Sequence, residues 1–346
     1  MDFQNFLPET HIQNLVSKQY YKDIVLFRDL IQKSCDTYFH SLNAPRVNLY
    51  LLSKSVSSPI GLGSDSKPIK FELDKKEYFL SDSSQFGMEP LVINSFEMVY
   101  CYLPSFRGEE PDERHLTQFY HCEAELRGDC QKAMSVAENL VKSLINSIVK
   151  FAGNQTFLSL RLSLESLSLI MANDFPKIIF DEAVSLLEKN GYKDFIRYEK
   201  FGRVLSSKAE NIITKLVGKN KMPVWVTNYD RDTVAFYQKP DPKNQDKVLN
   251  ADLLFPPLCR DSFGGEILGL GQRQDNPEGI IESLKRQNII NKGEYNWYIN
   301  LRKDPKYKTT SGFGLGVERF VAWALCLSSL ADSAIYPVMK NVKTSY

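Results

Sequence analysis

The sequence predicts an α+β fold in which a largely antiparallel sheet is flanked by helices. Strand-like segments lie toward both ends of the 346-residue chain, and amphipathic helical segments lie between them. Hydrophobic residues make up 43% and charged residues 25% of the chain, which is typical of a globular protein. A chain of this length forms about two domains, or one large domain, and it buries a sizeable core without disulfides.

The N-terminal part is predicted to begin with helices and then to form a pair of strands. Apolar residues recur at helical spacing over 12–39, and Pro45 then interrupts the pattern. Residues 117–126 alternate well enough to be the partner of a strand that begins near 101, which makes 107–116 a hairpin-like loop. The other elements predicted here are a strand at 47–52, a loop rich in Ser, Gly and Pro up to residue 68, and short strands or a strand–helix pair at 71–80 and 90–102.

A long amphipathic helix begins the second part of the chain. Over 131–151, Ala137, Leu140, Leu144 and Ile148 share one helical face. Near the C-terminus, a glycine-rich segment at 312–316 precedes a final helix with an apolar face. The other predicted elements are helices at 158–173, 180–190, 206–218 and 277–287, and strands at 223–228, 234–238, 247–255 and 264–271.

Composition excludes several classes of protein. The 43 Lys and Arg residues nearly balance the 42 Asp and Glu residues, and a net charge of +1 argues against an extended basic surface for nucleic acid. The N-terminus lacks the pattern of a signal peptide, and the longest apolar run, at 320–327, is far shorter than the ~20 residues of a membrane span. The six cysteines form no C-x-x-C pair and no zinc-binding spacing with the four histidines. We therefore expect a cytoplasmic protein with reduced cysteines and no membrane partner.

The first motif that carries chemistry lies in the predicted hairpin at 101–126. Arg107 follows the first strand and Phe119 lies on the returning strand, with Glu123 and Glu125 further along it. An arginine at a strand end can bind a phosphate through two hydrogen bonds, and an aromatic side chain can stack on a base. Taken alone, the same pattern fits an arginine in a surface salt bridge.

Two further motifs lie in the C-terminal part. Gly-Phe-Gly-Leu-Gly at 312–316 allows a ligand to approach the backbone, and Arg319 follows at the start of the next helix. Asp252 and Glu266, on strands predicted to be adjacent, can bind Mg²⁺ through carboxylate oxygens close to a phosphate group. Taken alone, the first motif also fits a tightly packed turn, and the second a pair of surface acids.

Together these segments resemble the catalytic core of class II aminoacyl-tRNA synthetases, most closely the asparaginyl enzymes. Phe-Arg-Gly-Glu at 106–109 with Arg-His-Leu at 114–116 and Phe119 resembles motif 2 of that family, and 312–319 resembles motif 3. The resemblance covers about residues 20–340. Three more segments contribute to it, which are the sequence around Pro45 (motif 1, the dimer-forming element), 79–89 (the amino-acid pocket) and 265–273 (the glycine-rich strand).

The resemblance implies a class II fold and an ATP-dependent ligase that activates a carboxylate, releases AMP and pyrophosphate, and uses ATP and Mg²⁺. It implies that Arg107 binds the α-phosphate, that Phe119 stacks on adenine, and that His115 and Arg319 lie at the β- and γ-phosphates. Because charge develops on phosphoryl oxygens, an arginine and a metal ion at that place stabilise the transition state. The other residues implied are Glu109 as a third catalytic residue beside Arg107 and Arg319, Asp252 and Glu266 as the Mg²⁺ ligands, and Ser83, Gln85, Glu123 and Arg273 as contacts to the amino-acid substrate.

The sequence also departs from the family pattern. We expect a helical segment at 1–40, a catalytic domain at 41–346 with a helical insertion at about 127–220, and no anticodon-binding OB domain. The motif 2 loop at 109–114 has four acidic residues and one basic residue, a net charge of −3 that repels an RNA backbone. The remaining departures are Ile60 in place of a glutamate that pairs with the α-ammonium, Met88 in place of a lysine of aspartate-specific relatives, His121 in place of another residue, and a longer segment between Asp252 and Glu266.

These observations predict a ligase that adenylates an Asp- or Asn-type carboxylate or amide and transfers it to a small nucleophile such as ammonia without tRNA, as an asparagine synthetase does. Three alternatives stay open. They are an amide- or nitrile-forming enzyme that acts on Asp or Asn within a peptide or specialised metabolite, an asparaginyl-tRNA ligase, and a non-catalytic amino-acid sensor. The expected partners are the small-molecule or peptide substrate and a second copy of the chain in a homodimer, with tRNA disfavoured.

Overall fold

The structure is a computed structural model that describes residues 5–58, 67–109, 114–152, 159–289, 293–339 and 342–343. The helices are α1 His11–Ser17, α2 Gln19–Ser41, α3 Gln85–Ile93, α4 Cys130–Ala152, α5 Leu164–Met171, α6 Phe180–Lys189, α7 Ser207–Leu216, α8 Pro277–Arg286, α9 Asn296–Asn300 and α10 Val317–Ala324. The strands are β1 Leu52–Ser53, β2 Lys70–Leu73, β3 Lys76–Leu80, β4 Met98–Phe106, β5 Gln118–Arg127, β6 Lys177–Ile179, β7 Ile196–Glu199, β8 Gly202–Leu205, β9 Val224–Thr227, β10 Pro240–Asp241, β11 Asn244–Val248, β12 Asn250–Phe255, β13 Gly265–Gln272 and β14 Thr310–Gly316.

A seven-stranded sheet forms the centre of the fold. Its strand order is β4-β5-β14-β13-β12-β9-β6, and every neighbouring pair is antiparallel except β6 with β9. Strands from both ends of the chain are neighbours in this sheet. The C-terminal strand β14 lies between β5 and β13 and joins the two parts. The predicted α+β class, with an antiparallel sheet flanked by helices, is confirmed.

The alternation of side chains along the strands separates a packed face from an open face. Cys122 and Ala124 of β5, Leu268 of β13 and Phe313 and Leu315 of β14 lie in one hydrophobic core with α2, α4 and α10. Because successive side chains of a strand point to opposite faces, the residues between them line the other face of the sheet. That second face carries most of the residues singled out by the sequence motifs.

Two predicted strands are wrong. At 47–52 only β1 forms, because the alternating apolar residues Val47 and Leu49 pack beside α3 while most of the segment lacks a partner strand. At 234–238 the chain turns, since Phe236 and Tyr237 are buried among the side chains of α8 and α9. In both segments the apolar pattern reports burial rather than a strand.

The N-terminal helices belong to the main core. Ile24 and Phe27 of α2 are fully buried in it, and the guanidinium of Arg28 donates to Glu318 of α10 at 2.8 Å and to the carbonyl of Ser333 at 3.0 Å. The segment 127–220 holds strands β6, β7 and β8 as well as its helices. The predicted domain boundaries stay predictions.

No helix in the described part of the chain is long and apolar enough to cross a membrane. The cytoplasmic location stays a prediction.

Candidate active site

Five glycines form the surface of a cavity on the open face of the sheet. The register sets Gly269 of β13 beside Gly314 of β14, and Gly271 beside Gly312, while Gly316 continues the row. With no side chains in this row, the backbone at the first four glycines borders a cavity of about 430 Å³, and Gly316 borders a smaller one. At Gly312 the space is already used, because a Cβ atom there would lie 2.7 Å from the carbonyl oxygen of Ala124.

Four alternate residues of β5 stand beside this glycine row. Phe119, His121, Glu123 and Glu125 share the open face, and the last three lie beside glycines of β14. The register pairs His121 with Gly316, Glu123 with Gly314 and Glu125 with Gly312. One strand therefore carries an aromatic ring, an imidazole and two carboxylates in line along the cavity.

The Arg107 guanidinium lies where this cavity meets a smaller one of about 90 Å³, and its side chain lines both. Its Cζ atom is 5.5 Å from the centre of the Phe119 ring. The Nε atom is buried and has no hydrogen-bond partner among the described residues. A guanidinium with a buried, unused donor is suited to bind an anion such as a phosphate. Glu109 and His115 line the same two cavities.

Arg319, at the start of α10, is held by Glu266. Its Nη1 atom donates to the Glu266 carboxylate at 3.1 Å and to the Glu266 carbonyl oxygen at 3.1 Å. Burial opposes its charge, but Glu266, Glu210 and Glu109 raise the pKa of Arg319 above its usual value. This arginine is therefore neutralised by carboxylates, and a phosphate would compete with them.

Asp252 and Glu266 converge on the space above Gly269. A Cβ atom at Gly269 would lie 3.4 Å from Oδ1 of Asp252 and 3.3 Å from Oε1 of Glu266. A β-bulge makes this possible, because the register between β12 and β13 shifts at Leu253/Leu254 and turns Glu266 to the face of Asp252.

These two carboxylates are electrostatically coupled. Burial and the neighbouring Glu266 raise the pKa of Asp252 well above its usual value. Burial also acts on Glu266, but Arg319, Arg107 and Arg114 lower its pKa. Among the described residues no group of three His, Cys, Asp or Glu side chains could hold a metal ion. Two carboxylates do fit Mg²⁺, which commonly binds one or two carboxylates together with substrate phosphates and water.

At the other end of the cavity the backbone N–H of Ser84 donates to Glu123 at 2.6 Å, and the Ser83 hydroxyl donates to the same carboxylate. Burial raises the pKa of Glu123, although these hydrogen bonds oppose the rise. The Ser83 hydroxyl is thus used to hold Glu123. Gln85 donates from Nε2 to the Tyr298 hydroxyl at 3.3 Å, and its buried Oε1 atom has no partner in the described structure.

Arg273 forms a buried pair with Glu125. Two hydrogen bonds, of 3.0 and 2.7 Å, join its guanidinium to the two carboxylate oxygens, and its Cζ atom lies 5.3 Å from the centre of the Tyr237 ring. Burial raises the pKa of Glu125, while Arg273 opposes that rise. With Arg273 neutralised by Glu125, the nearby Glu123 leaves this end of the cavity with an excess of negative charge.

The structure brings every predicted site residue to this face of the sheet. Ile60 and most of the acidic loop, at 110–113, lie outside the described residues. Sequence reasoning missed Gln238, whose buried Oε1 atom has no partner in the described part of the chain and whose side chain lies against Gly271. No sequence signal could have found it, because 234–238 was expected to be a strand. For His121 the sequence does contain a signal. It lies midway between Phe119 and Glu123 in the alternation of the strand, so its side chain is expected on the same face.

The antiparallel sheet, with an arginine, a phenylalanine and paired carboxylates lining cavities on one face, agrees with the class II aminoacyl-tRNA synthetase fold expected from the sequence. The family model for class II tRNA synthetases of the D, K and N group matches residues 8–340, so the chain belongs to this family.

Within the family, the chain is similar to asparaginyl enzymes. It is 32% identical to the asparagine–tRNA ligase of Pyrococcus abyssi over 272 residues, which cover 78% of this chain and 58% of the relative. It is 34% identical to that of Clostridium tetani over 284 residues, covering 79% and 58%. The crystal structure of asparaginyl-tRNA synthetase from Pyrococcus horikoshii complexed with asparaginyl-adenylate superposes with a TM-score of 0.85 at 27% identity, covering 98% of this chain and 73% of that one. The chain thus spans about 58% of the length of the two curated relatives.

Proposed function

We propose that this chain uses ATP to adenylate an amino acid of the asparagine type. The observation that carries the proposal is the position of Arg107, whose side chain lines both cavities and whose buried Nε atom has no hydrogen-bond partner among the described residues. We assign the smaller cavity to the nucleotide and the larger one to the amino acid. Phe119 lines the first cavity and Glu123 the second. An α-phosphate bound by Arg107 would therefore face the carboxylate of the amino acid.

The chemistry of this step needs charge stabilisation rather than a base. A carboxylate oxygen attacks the α-phosphorus, the bond to the bridging oxygen breaks, and pyrophosphate leaves. Arg107 stabilises the charge on the α-phosphoryl oxygens, while Arg319, with Glu109 beside it, faces the departing phosphates. His115 lines the same cavity. Bound Mg²⁺, held by Asp252 and Glu266, would neutralise further phosphate charge.

The charges of the amino-acid end favour an amide side chain over a carboxylate. Arg273 is already paired with Glu125, and Glu123 adds a further buried negative charge. The unpaired Oε1 atoms of Gln85 and Gln238 are buried acceptors that need N–H donors. Asparagine supplies such donors from its ammonium and its amide groups, whereas the side-chain carboxylate of aspartate is repelled. The asparaginyl-adenylate named for the Pyrococcus horikoshii structure supports the same choice.

For the acceptor, the first candidate is tRNA, because the curated relatives are asparagine–tRNA ligases. A homodimer and a catalytic domain over 41–346 are parts of this proposal. The second candidate is a small nucleophile such as ammonia, with no tRNA involved. The net charge of −3 at 109–114, from four acids and one base, favours it because this loop would repel RNA.

The test is pyrophosphate exchange with asparagine and aspartate, followed by transfer. We expect asparagine-dependent exchange without tRNA, and at least tenfold lower kcat/KM for aspartate. The preformed adenylate is then offered separately to total tRNA and to ammonium chloride. Acid-precipitable, base-labile asparagine identifies a tRNA ligase, and an amide product identifies the second candidate. Absence of exchange with both amino acids would contradict the proposal.

A further inference from the structure

His121 lies between the two ends of the cavity with one ring nitrogen open to it. Its ring centre is 4.8 Å from that of Phe119, and its Nδ1 atom is 3.7 Å from the Glu123 carboxylate. Nδ1 is hydrogen-bonded to the Ser105 hydroxyl at 2.9 Å. Nε2 has no hydrogen-bond partner among the described residues and is not shut off from the cavity, which His121 helps to line.

The surroundings determine which nitrogen carries the proton. The Glu123 carboxylate lies on the Nδ1 side and favours a hydrogen on Nδ1, and the Ser105 hydroxyl can accept a hydrogen bond from it. The lone pair is then on Nε2, directed at the cavity. Burial, together with Arg107 and Arg319, lowers the pKa of His121 well below its usual value, so the imidazole is neutral near pH 7. The adenylation of a carboxylate gives this neutral base no proton to accept.

We propose that His121 is the general base of the second half-reaction, in which the acceptor attacks the acyl-adenylate. This inference rests on the proposed adenylation. The N–H or O–H nucleophile forms a bond to the acyl carbon, the bond from that carbon to the phosphate oxygen breaks, and AMP leaves with the electron pair. The proton of the nucleophile passes to Nε2 of His121. No oxidant, reductant or other co-reactant is needed.

The charged groups around His121 change in favour of proton uptake once adenylate has formed. Arg107 after β4 and Arg319 of α10 are the cations that depress its pKa, and Glu123 on its own strand opposes them. The phosphate of an adenylate bound by Arg107 would neutralise the nearer cation. The base therefore gains affinity for a proton at the step in which the nucleophile releases one.

The experiment compares His121→Gln with the parent in two half-reactions. Glutamine keeps a polar side chain of similar length but cannot be protonated. We expect transfer from preformed adenylate to ammonium or to tRNA to slow roughly 10²–10⁴-fold more than pyrophosphate exchange does, which is the usual contribution of a general base. Hydroxylamine is neutral and nucleophilic at pH 7, so its attack should slow by less than about threefold. In the parent, the rate of transfer to tRNA, or to ammonia at a constant concentration of the free base, should rise with pH through the pKa of His121 and then level, and this inflection should vanish in the variant.

Two control variants accompany it. His40→Gln changes an exposed histidine of α2 and should leave every rate unchanged. Ser105→Ala keeps the imidazole but removes the Nδ1 partner, and should slow transfer by an intermediate factor. The comparison can be made if His121→Gln still catalyses pyrophosphate exchange. If His121→Gln has lost exchange, the transfer rate of Ser105→Ala provides the test.

Four results would overturn the inference. They are transfer to ammonium or tRNA at the parental rate in His121→Gln, an equal loss with hydroxylamine, a parental transfer rate in an exchange-competent Ser105→Ala, and a parental adenylate that reacts with neither acceptor faster than with water. Loss of exchange in the parent itself would instead contradict the proposed adenylation.

Discussion

Substituting alanine at either of two neighbouring glycines tests whether the open face of the sheet is the ligand site. A Cβ atom at Gly314 would meet nothing closer than 3.5 Å, where it would touch the Glu123 side chain. The backbone at Gly314 has no positive φ, so alanine adopts it without strain. We expect Gly314→Ala to keep or gain stability, by up to about 1 kcal/mol, because alanine lowers the entropy of the unfolded chain.

The same methyl group projects into the cavity, where it holds the ligand away from the sheet. A displacement of about 1 Å at a reacting centre costs on the order of 10² in rate. We therefore expect kcat/KM for pyrophosphate exchange to fall by about that factor in Gly314→Ala. Its melting temperature should stay at or above that of the parent, as measured by calorimetry on the same sample.

Gly312→Ala is the matched substitution, and its expected effect on stability is the opposite. Here the Cβ atom would overlap Glu125 and Arg273 and lie 2.7 Å from the Ala124 carbonyl oxygen. Overpacking of this kind costs about 1–3 kcal/mol, which lowers the melting temperature by roughly 2 °C per kcal/mol in a chain of this size. Full exchange activity in Gly314→Ala would refute the placement of the ligand on this glycine row. Parental stability in Gly312→Ala would refute the close packing at Gly312.

Three further substitutions test the proposed phosphate site, the proposed adenine site and an ion pair elsewhere in the chain. Arg107→Ala should lower the exchange rate by about 10²–10³, and near-parental exchange would mean that Arg107 does not bind the reacting phosphate. Phe119→Ala should weaken ATP binding by about 1–3 kcal/mol in calorimetric titration, with the binding of asparagine alone as the control. Burial opposes ionisation of Asp230, but hydrogen bonds from Arg203 and Lys247 lower its pKa to about 2. Its contribution to stability is therefore present above the pKa of about 4 of the unfolded chain and is lost as pH falls to about 2. Asp230→Asn should be less stable than the parent at pH 6 and differ little from it near pH 2, and an equal deficit at both pH values would contradict this.

The motifs of the sequence were sufficient to predict which residues meet at the site. Phe119, Glu123 and Glu125 alternate along one predicted strand, so a single assumption about β structure placed them on one face. Gly312 and Gly314 lie on β14, which was predicted only as a glycine-rich segment before a helix. The first assignment depends only on local pattern, whereas the second strand was not predicted.

What could not be predicted depends on pairing between distant parts of the chain. The bulge that turns Glu266 toward Asp252 exists only in the register of β13 against β12, which no local pattern specifies. Gln238 reaches the cavity through a turn whose apolar neighbours pack against helices that follow in the sequence. Apolar residues at 47–52 and 234–238 predicted strands, because burial against a helix produces a similar apolar pattern.

The amino-acid end of the cavity follows from the same packing that forms the sheet. Burying Arg273 and Glu125 together costs solvation energy, which is offset only because two aligned hydrogen bonds join them. That alignment needs the space left by Gly312, so the glycine, the ion pair and the strand register form one unit. Since the arginine is neutralised within this unit, Glu123 determines the sign of the remaining charge. Under the proposed function, the core of the fold would therefore select a substrate with N–H donors and a neutral side chain, and a change from asparagine to aspartate specificity would require a change in the buried pair rather than in a surface loop.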